Sequence, residues 1–310
     1  MRCGLEPHGR LSQMPAPETC FVIGCIAATV AAVCAAVGAW LVRGSTAVPA
    51  AAWGVAAAAA LALEMAARAA GGLVDPAAAA AVRLVAAALS VCPAMALLGA
   101  KRPQHGVWQF IVATLAVVLA LPAVAATLVR PGTFPDVHLL GRGFLLVLVV
   151  VGWLNFVATR RGAAATLVAA GQGILLRAFL SVTLNGPEHD PLADMVGCLL
   201  VGLGAAVAAA QSAPAAWHAP ARRGDALAAR IDRPYLALRE TLGAAWTLRI
   251  AERFDAVAAA RGWPCRLRFG GLEPGPSGGD TAWHHDAERL LRSLLRRFVS
   301  PAWLRRHGWR

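Results

Sequence analysis

The sequence predicts an all-α protein, a polytopic bundle of about seven transmembrane helices with a small α-rich C-terminal cytoplasmic domain. Three observations carry this. Of 310 residues, 58% are hydrophobic and only 15% charged, where a soluble domain has about a quarter charged; mean hydropathy is +0.59. Residues 20–42, 103–129, 143–159 and 195–221 contain no Asp, Glu, Lys or Arg, and a span of about 20 residues crosses a bilayer. The charge is uneven as well: residues 212–310 hold 17 Arg against 9 acids, while residues 1–211 hold 12 basic and 8 acidic residues. Ala, at 71 residues, would also suit a soluble bundle. Leu, Val, Ile and Phe crowd the same windows, however, and a helix that is apolar all round has no face to turn to water.

Residues 1–19 form an N-terminal tail, and translation from Met14 would leave only Glu18 ahead of the first span. Seven spans follow within residues 20–212: 20–42, 48–70, 78–99, 107–129, 143–159, 163–183 and 192–212. The first is too long for the apolar region of a cleaved signal peptide, and the residues before it carry no net charge. The second span contains Glu64 and Arg68, the third Arg83 and the sixth Arg177. Residues 213–224 read as a Pro- and Ala-rich linker, and residues 225–310 as a basic tail domain.

Within the tail, Tyr235, Leu238, Leu242, Trp246, Ile250, Phe254 and Val257 recur at steps of three and four, which predicts one helix over 234–262. Residues 265–269 alternate like a short strand and run into a Gly/Pro turn at 270–279. A second helix, capped by Asp280 or Thr281, carries a stripe at Trp283, Ala287, Leu290, Leu294 and Phe298, and Pro301 is expected to end it.

Basic residues near the span ends set the orientation. Arg43, Lys101, Arg102, Arg160, Arg161, Arg222 and Arg223 fall on one side; Arg68, Arg130 and Arg142, with Arg2 and Arg10 if translated, fall on the other. The richer side is expected to be cytoplasmic, giving an external N-terminus and a cytoplasmic C-terminus. Trp40, Trp53, Trp108, Trp153 and Trp217 lie near that same side, where amphipathic rings favour the interface. One Lys against 28 Arg, with so much Ala, suits a GC-rich bacterial genome. The seven Cys lie mostly within apolar spans without a C-x-x-C pair and read as small hydrophobes.

Several strings together resemble uncharacterised multi-pass membrane proteins of planctomycete bacteria: Cys92 and Pro93 with residues 98–110 (LGAKRPQHGVWQF), then 252–255 (ERFD), 261–267 (RGWPCRL) and 294–303 (LLRRFVSPAW). The resemblance covers the third and fourth spans and most of the tail. It implies a bacterial inner-membrane location and assigns no chemistry.

There is no phosphate loop, no H-E-x-x-H and no G-x-S-x-G, and the one Lys is not placed in the seventh span for a retinal Schiff base. No catalytic residue, metal ligand or cofactor is therefore assigned. The strongest signal is the set of charges within the spans, Glu64, Arg83 and Arg177, because an unpaired charge at that depth costs on the order of 2–3 kcal/mol or more. Glu64 and Arg83 are expected to pair across the hairpin of spans two and three, leaving Arg177 over, near Gln172. Two readings stay open. One is an outward-facing pocket that holds an anionic group; the other is a structural ion pair plus an Arg snorkelling to the interface.

Asp136, His138, Glu188, His189, Asp190 and Asp194 are expected as hydrated outer-loop residues, with a divalent metal as the sharper alternative. His284 and His285 point about 100° apart on a helix and do not form a ligand pair; Asp286 and Glu288 beside them suit the helix dipole. Arg289, Arg292, Arg296 and Arg297, with Trp303, Arg305 and Arg306, form a basic face suited to anionic headgroups or to a protein partner. No nucleic-acid motif is present. The leading functional expectation is a non-enzymatic membrane subunit or scaffold whose basic tail docks to a partner or the leaflet; the alternative is a transporter or lipid-handling protein.

Overall fold

The structure is a computed structural model that describes residues 15–73, 75–100, 105–180, 190–212, 226–274 and 282–309. The described residues are all-α apart from one hairpin. Seven helices are long and apolar enough to cross a membrane: α1 (Pro17–Leu41), α2 (Val48–Ala69), α3 (Pro76–Leu98), α4 (His105–Val124, continued by a π turn, Ala125–Val129), α5 (Leu139–Val157), α6 (Gly162–Leu180) and α7 (Pro191–Gln211). The tail contains α8 (Ala226–Leu242), α9 (Ala244–Ala260), β1 (Cys265–Arg268), β2 (Gly271–Pro274), α10 (His284–Leu295) and α11 (Pro301–Arg306). The linker at 213–224, Lys101, Arg102, Trp217, Arg222, Arg223, Glu188, His189, Arg2, Arg10 and the expected caps Asp280 and Thr281 lie outside the described residues.

Local chemistry sets the helix ends. Pro occupies the first turn of α1, α2, α3, α7 and α11, where its missing N–H has no helical partner to lose. Asp75 caps α3 by accepting from the N–H groups of Ala77 and Ala78, and Asp190 caps α7 by accepting from Leu192. Pro122 lies inside α4, and the helix widens to its π turn just beyond it.

Neighbour contacts close a ring of six helices, α1–α2–α3–α5–α6–α7 and back to α1, while α4 packs against α3. Hydrocarbon provides no hydrophobic drive between helices, so close backbone approach matters. It is visible along α7. A Cβ on Gly202 would lie 2.7 Å from the Ala27 carbonyl of α1, one on Gly204 2.9 Å from the Ala164 carbonyl of α6, and one on Gly197 2.8 Å from the Leu175 side chain.

The tail is seated on one end of this ring, here called the tail side. Trp246 Nε1 donates to the Leu97 carbonyl at the end of α3 (2.7 Å), and the Arg160 N–H donates to Glu240 (3.1 Å). Thr46 N–H donates to the Phe298 carbonyl (2.8 Å), Ser300 N–H donates to that of Gly44 (2.7 Å), and Ser45 forms an antiparallel bridge with Val299. Arg306 Nη2 donates to the Arg43 carbonyl. Ala47 and Ala100 of the bundle join the tail's core of Tyr235, Leu238, Phe254, Leu272, Leu295 and their neighbours, so that core crosses the boundary between bundle and tail.

Four details of the tail differ from the sequence expectations. The single helix over 234–262 is two helices. It begins at Ala226, with Pro234 inside it, and breaks at Gly243, whose φ is +79°. The break is held by Asn155 of α5: its Nδ2 donates to the Leu242 carbonyl and its Oδ1 accepts from Ala245 N–H, both at 3.0 Å. A Cβ at residue 243 would fall 2.2 Å from that amide. The expected Gly/Pro turn begins with β2, which pairs antiparallel to β1 with Leu267 opposite Leu272. The buried stripe of α10 is Ala287, Leu291 and Leu295, one step round from the expected Leu290 and Leu294. Pro301 does not simply stop a helix: it opens α11, which Ser300 caps by accepting from Trp303 N–H.

Candidate functional site

Glu64 and Arg68 in the last turns of α2, Arg83 of α3, Arg177 near the end of α6 and Asp194 in the first turn of α7 meet in the half of the bundle away from the tail. Arg83 is the hub. Its Nε donates to Glu64 at 2.6 and 2.8 Å, and its Nη1 and Nη2 donate to the two Asp194 oxygens at 2.9 and 3.1 Å. Arg68 Nε lies 3.0 Å from Glu64 Oε1, and Arg177 Nη1 lies 3.5 Å from Asp194 Oδ1. Glu64, Asp194 and Arg83 are 1%, 3% and 4% exposed, while the Arg177 side chain is 33% exposed. A fork of donors matched to two planar acceptors keeps such a group charged away from water.

The Glu64–Arg83 pair is as expected from sequence. Three other placements are not. Asp194, expected in a hydrated loop, is the second acid of the buried cluster. Arg68, counted among flanking charges, is buried in it. Arg177 is not left over beside Gln172 but reaches Asp194, and Gln172 Nε2 instead donates to the Ser90 carbonyl (2.9 Å). An anion pocket built on Arg83 is not what the geometry forms, because the Nε edge and the Nη1–Nη2 edge of its guanidinium already donate to carboxylates. The cue for Asp194 was depth: it stands just inside its span, at the level reached by Arg83 and Arg177. Of the other outer-loop residues, Asp190 and His138 accept from backbone N–H groups at the starts of α7 and α5. Among the described residues no group of three or more His, Cys, Asp and Glu side chains is placed to hold a metal ion.

Inside the ring, on the tail side of this cluster, lies a cavity of about 330 Å³. Its walls are apolar, from Leu61, Val91, Leu148, Val168, Leu176 and Val201, with Arg83 at one end and Arg161 at the other.

The basic face of the tail is partly as expected. Arg289, Arg296, Arg297 and Arg305 are exposed. Arg289 donates to Asp286 at 2.5 Å, a bond that holds the Asp286 carboxyl below its ordinary pKa. Arg292 lies over the Trp309 ring at 5.3 Å, and Arg306 is tied to Arg43. Trp303 departs from expectation. At 1% exposure it is a core residue, its ring stacked on His307 at 3.8 Å, and it is not part of a docking surface. Sequence reasoning also missed Arg249 and Arg253. Four residues apart on α9, they meet Arg297 around a hollow of about 100 Å³ with an apolar floor that includes Trp246, Ile250 and Phe298. Arg249 lies over Trp246 at 5.1 Å. Among the described residues none of these three guanidiniums is paired with a carboxylate.

The chain matches no family model, no curated protein and no solved structure. The fold and its sites define a multi-pass α-helical membrane protein with a folded tail, and beyond that class the reading rests on the geometry.

Proposed function

We propose that this is a non-enzymatic multi-pass component of a bacterial inner membrane, with its N-terminus outside, and that its cytoplasmic tail binds the anionic headgroups of the inner leaflet. The observation that carries this reading is the Arg249–Arg253–Arg297 hollow. Two of its floor residues, Trp246 and Phe298, are bonded to the tail-side end of α3 and to the corner between α1 and α2. The three cations therefore stand beside the helix ends, where headgroups lie. Each basic residue near such a surface contributes about 1 kcal/mol, so three give about 3 kcal/mol. The bacterial assignment is supported by the strong preference for Arg over Lys and by the resemblance to planctomycete proteins. The orientation is supported by Arg43, Arg160 and Arg161 on the tail side.

The test is reconstitution of the full chain in nanodiscs of mixed phosphatidylcholine and phosphatidylglycerol, followed by native mass spectrometry of the lipids retained. The wild type should keep phosphatidylglycerol selectively, and Arg249→Ala with Arg253→Ala and Arg297→Ala should abolish the selectivity. Equal retention by the triple variant would overturn the reading, and a stoichiometric second polypeptide captured through the same arginines would replace the lipid with a protein. A C-terminal fluorescent or alkaline phosphatase fusion checks the orientation: fluorescence without phosphatase activity is expected.

A further inference from the structure

The cavity inside the ring is independent of the tail hollow and has its own polarity. Its lining extends along α3 from Arg83 to Leu97 and along α6 from Arg161 to Leu176, which is about 20 Å of helix at 1.5 Å per residue. A volume of about 330 Å³ over that length makes it long and narrow. It falls within the usual size of ligand pockets, about 300–1,000 Å³, which are mostly apolar with a few placed polar groups.

Most polar side chains in the lining are satisfied within the protein. Gln172 donates to the Ser90 carbonyl, the Ser90 hydroxyl to that of Ala87, and Trp153 Nε1 to the Thr166 hydroxyl. At the far end Arg83 is paired with Glu64 and Asp194. Arg161, in the corner between α5 and α6, is different. Its side chain makes one hydrogen bond, to Ser212 Oγ at 2.6 Å, and among the described residues no carboxylate lies within ion-pair distance. Burial lowers its pKa, and the field of Glu240 opposes that shift. Glu240 itself is already bonded to Arg239 and to Arg160 N–H. The N-terminus of α6, with its partial positive charge, starts at the next residue. One end of the cavity thus carries a cation with spare donors, and at the other end Arg83 already has both of its donor edges on Glu64 and Asp194.

We propose that this cavity holds the acyl chain of an anionic amphiphile, its carboxylate or phosphate head at Arg161 and its methyl end toward Arg83. The tube supplies the apolar burial, and the head supplies the countercharge that Arg161 lacks.

The experiment uses the purified full chain in mild detergent with a diazirine-bearing palmitate, photolysis, and peptide mapping of the label. Labelling is expected on cavity-facing segments of α3, α5 and α6. Arg161→Gln should lower it about tenfold, the scale of one charge-assisted hydrogen bond, while Arg161→Lys retains most of it. Ala165→Phe, which fills the tube, should lower it as well, with monodispersity on gel filtration reporting that each variant is folded. Competition separates the sources: displacement by unlabelled palmitate identifies a free fatty acid, and displacement by phosphatidylglycerol a phospholipid chain. Label spread evenly over the outward-facing residues of α4 and α5, indifferent to both Arg161→Gln and Ala165→Phe, would overturn the proposal. The Arg249, Arg253 and Arg297 substitutions leave the cavity unaltered, so failure of the headgroup reading and failure of this one are read separately.

Discussion

Arg83 and Arg177 touch the same carboxylate, but their surroundings give them different weights. Arg83→Met removes a buried hub and strands Glu64 and Asp194, and breaking a buried pair in this way costs about 3–5 kcal/mol. Arg177 is a third exposed and 3.5 Å from its partner, so Arg177→Met should cost under about 1 kcal/mol. Thermal unfolding in detergent separates the two, and equal losses would refute the hub assignment. His307 supplies a pH dependence in the tail. Burial holds its pKa below the ordinary value, with Arg306 and Arg233 pushing the same way and the Trp303 carbonyl opposing. A base whose folded pKa is depressed stays neutral in the fold but takes a proton when unfolded. Its contribution is therefore lost as pH falls below the unfolded value of about 6.5. Proteolytic resistance of the tail should drop as pH falls below about 6.5, and His307→Gln should flatten that drop.

At the scale of elements, the glycines of α7 make their own test. Gly197→Leu forces a side chain against Leu175 at 2.8 Å, and overpacking of this kind costs about 1–3 kcal/mol. Gly173→Ala in α6 meets nothing within 4 Å and should leave stability nearly unchanged. Thermal melts of both variants check this. The spans themselves were legible in the sequence because an uninterrupted apolar run has one physical solution in a bilayer. Which small residues pack was not, since Ala and Gly are everywhere and only the ring's geometry selects Gly197, Gly202 and Gly204. The break at Gly243 was hidden for a related reason. The apolar stripe from Tyr235 to Val257 keeps its period straight through it, and the break is held by Asn155, on a helix some ninety positions earlier. Trp303 misled because an aromatic among arginines looks interfacial, while the turn at Ser300 folds it inward. In the charge cluster Glu64 and Arg83 were legible as neighbours across one hairpin. Asp194 was not, because pairing it needed α7 to return beside α3.

At the scale of the molecule, the tail behaves as the bundle's end plate. Asn155→Leu deletes both bonds that clamp the α8–α9 break, a part-buried one to the Leu242 carbonyl and an exposed one from Ala245 N–H, a loss of roughly 0.5–1.5 kcal/mol for each. The expected outcome is a tail released to protease while the seven helices stay intact, read by limited proteolysis and mass mapping; an unchanged digestion pattern would remove Asn155 from the role of clamp. The bridge between Ser45 and Val299 has a consequence for biosynthesis. The corner between α1 and α2 finds its bridge partner only at residue 299, some 250 positions later. At about 5–20 residues per second, the ribosome needs some 13–50 seconds to make the residues between them. For that interval the α1–α2 pair waits with the backbone of its corner unbridged, so a nascent chain stalled before Val299 should be the species that quality-control proteases recognise.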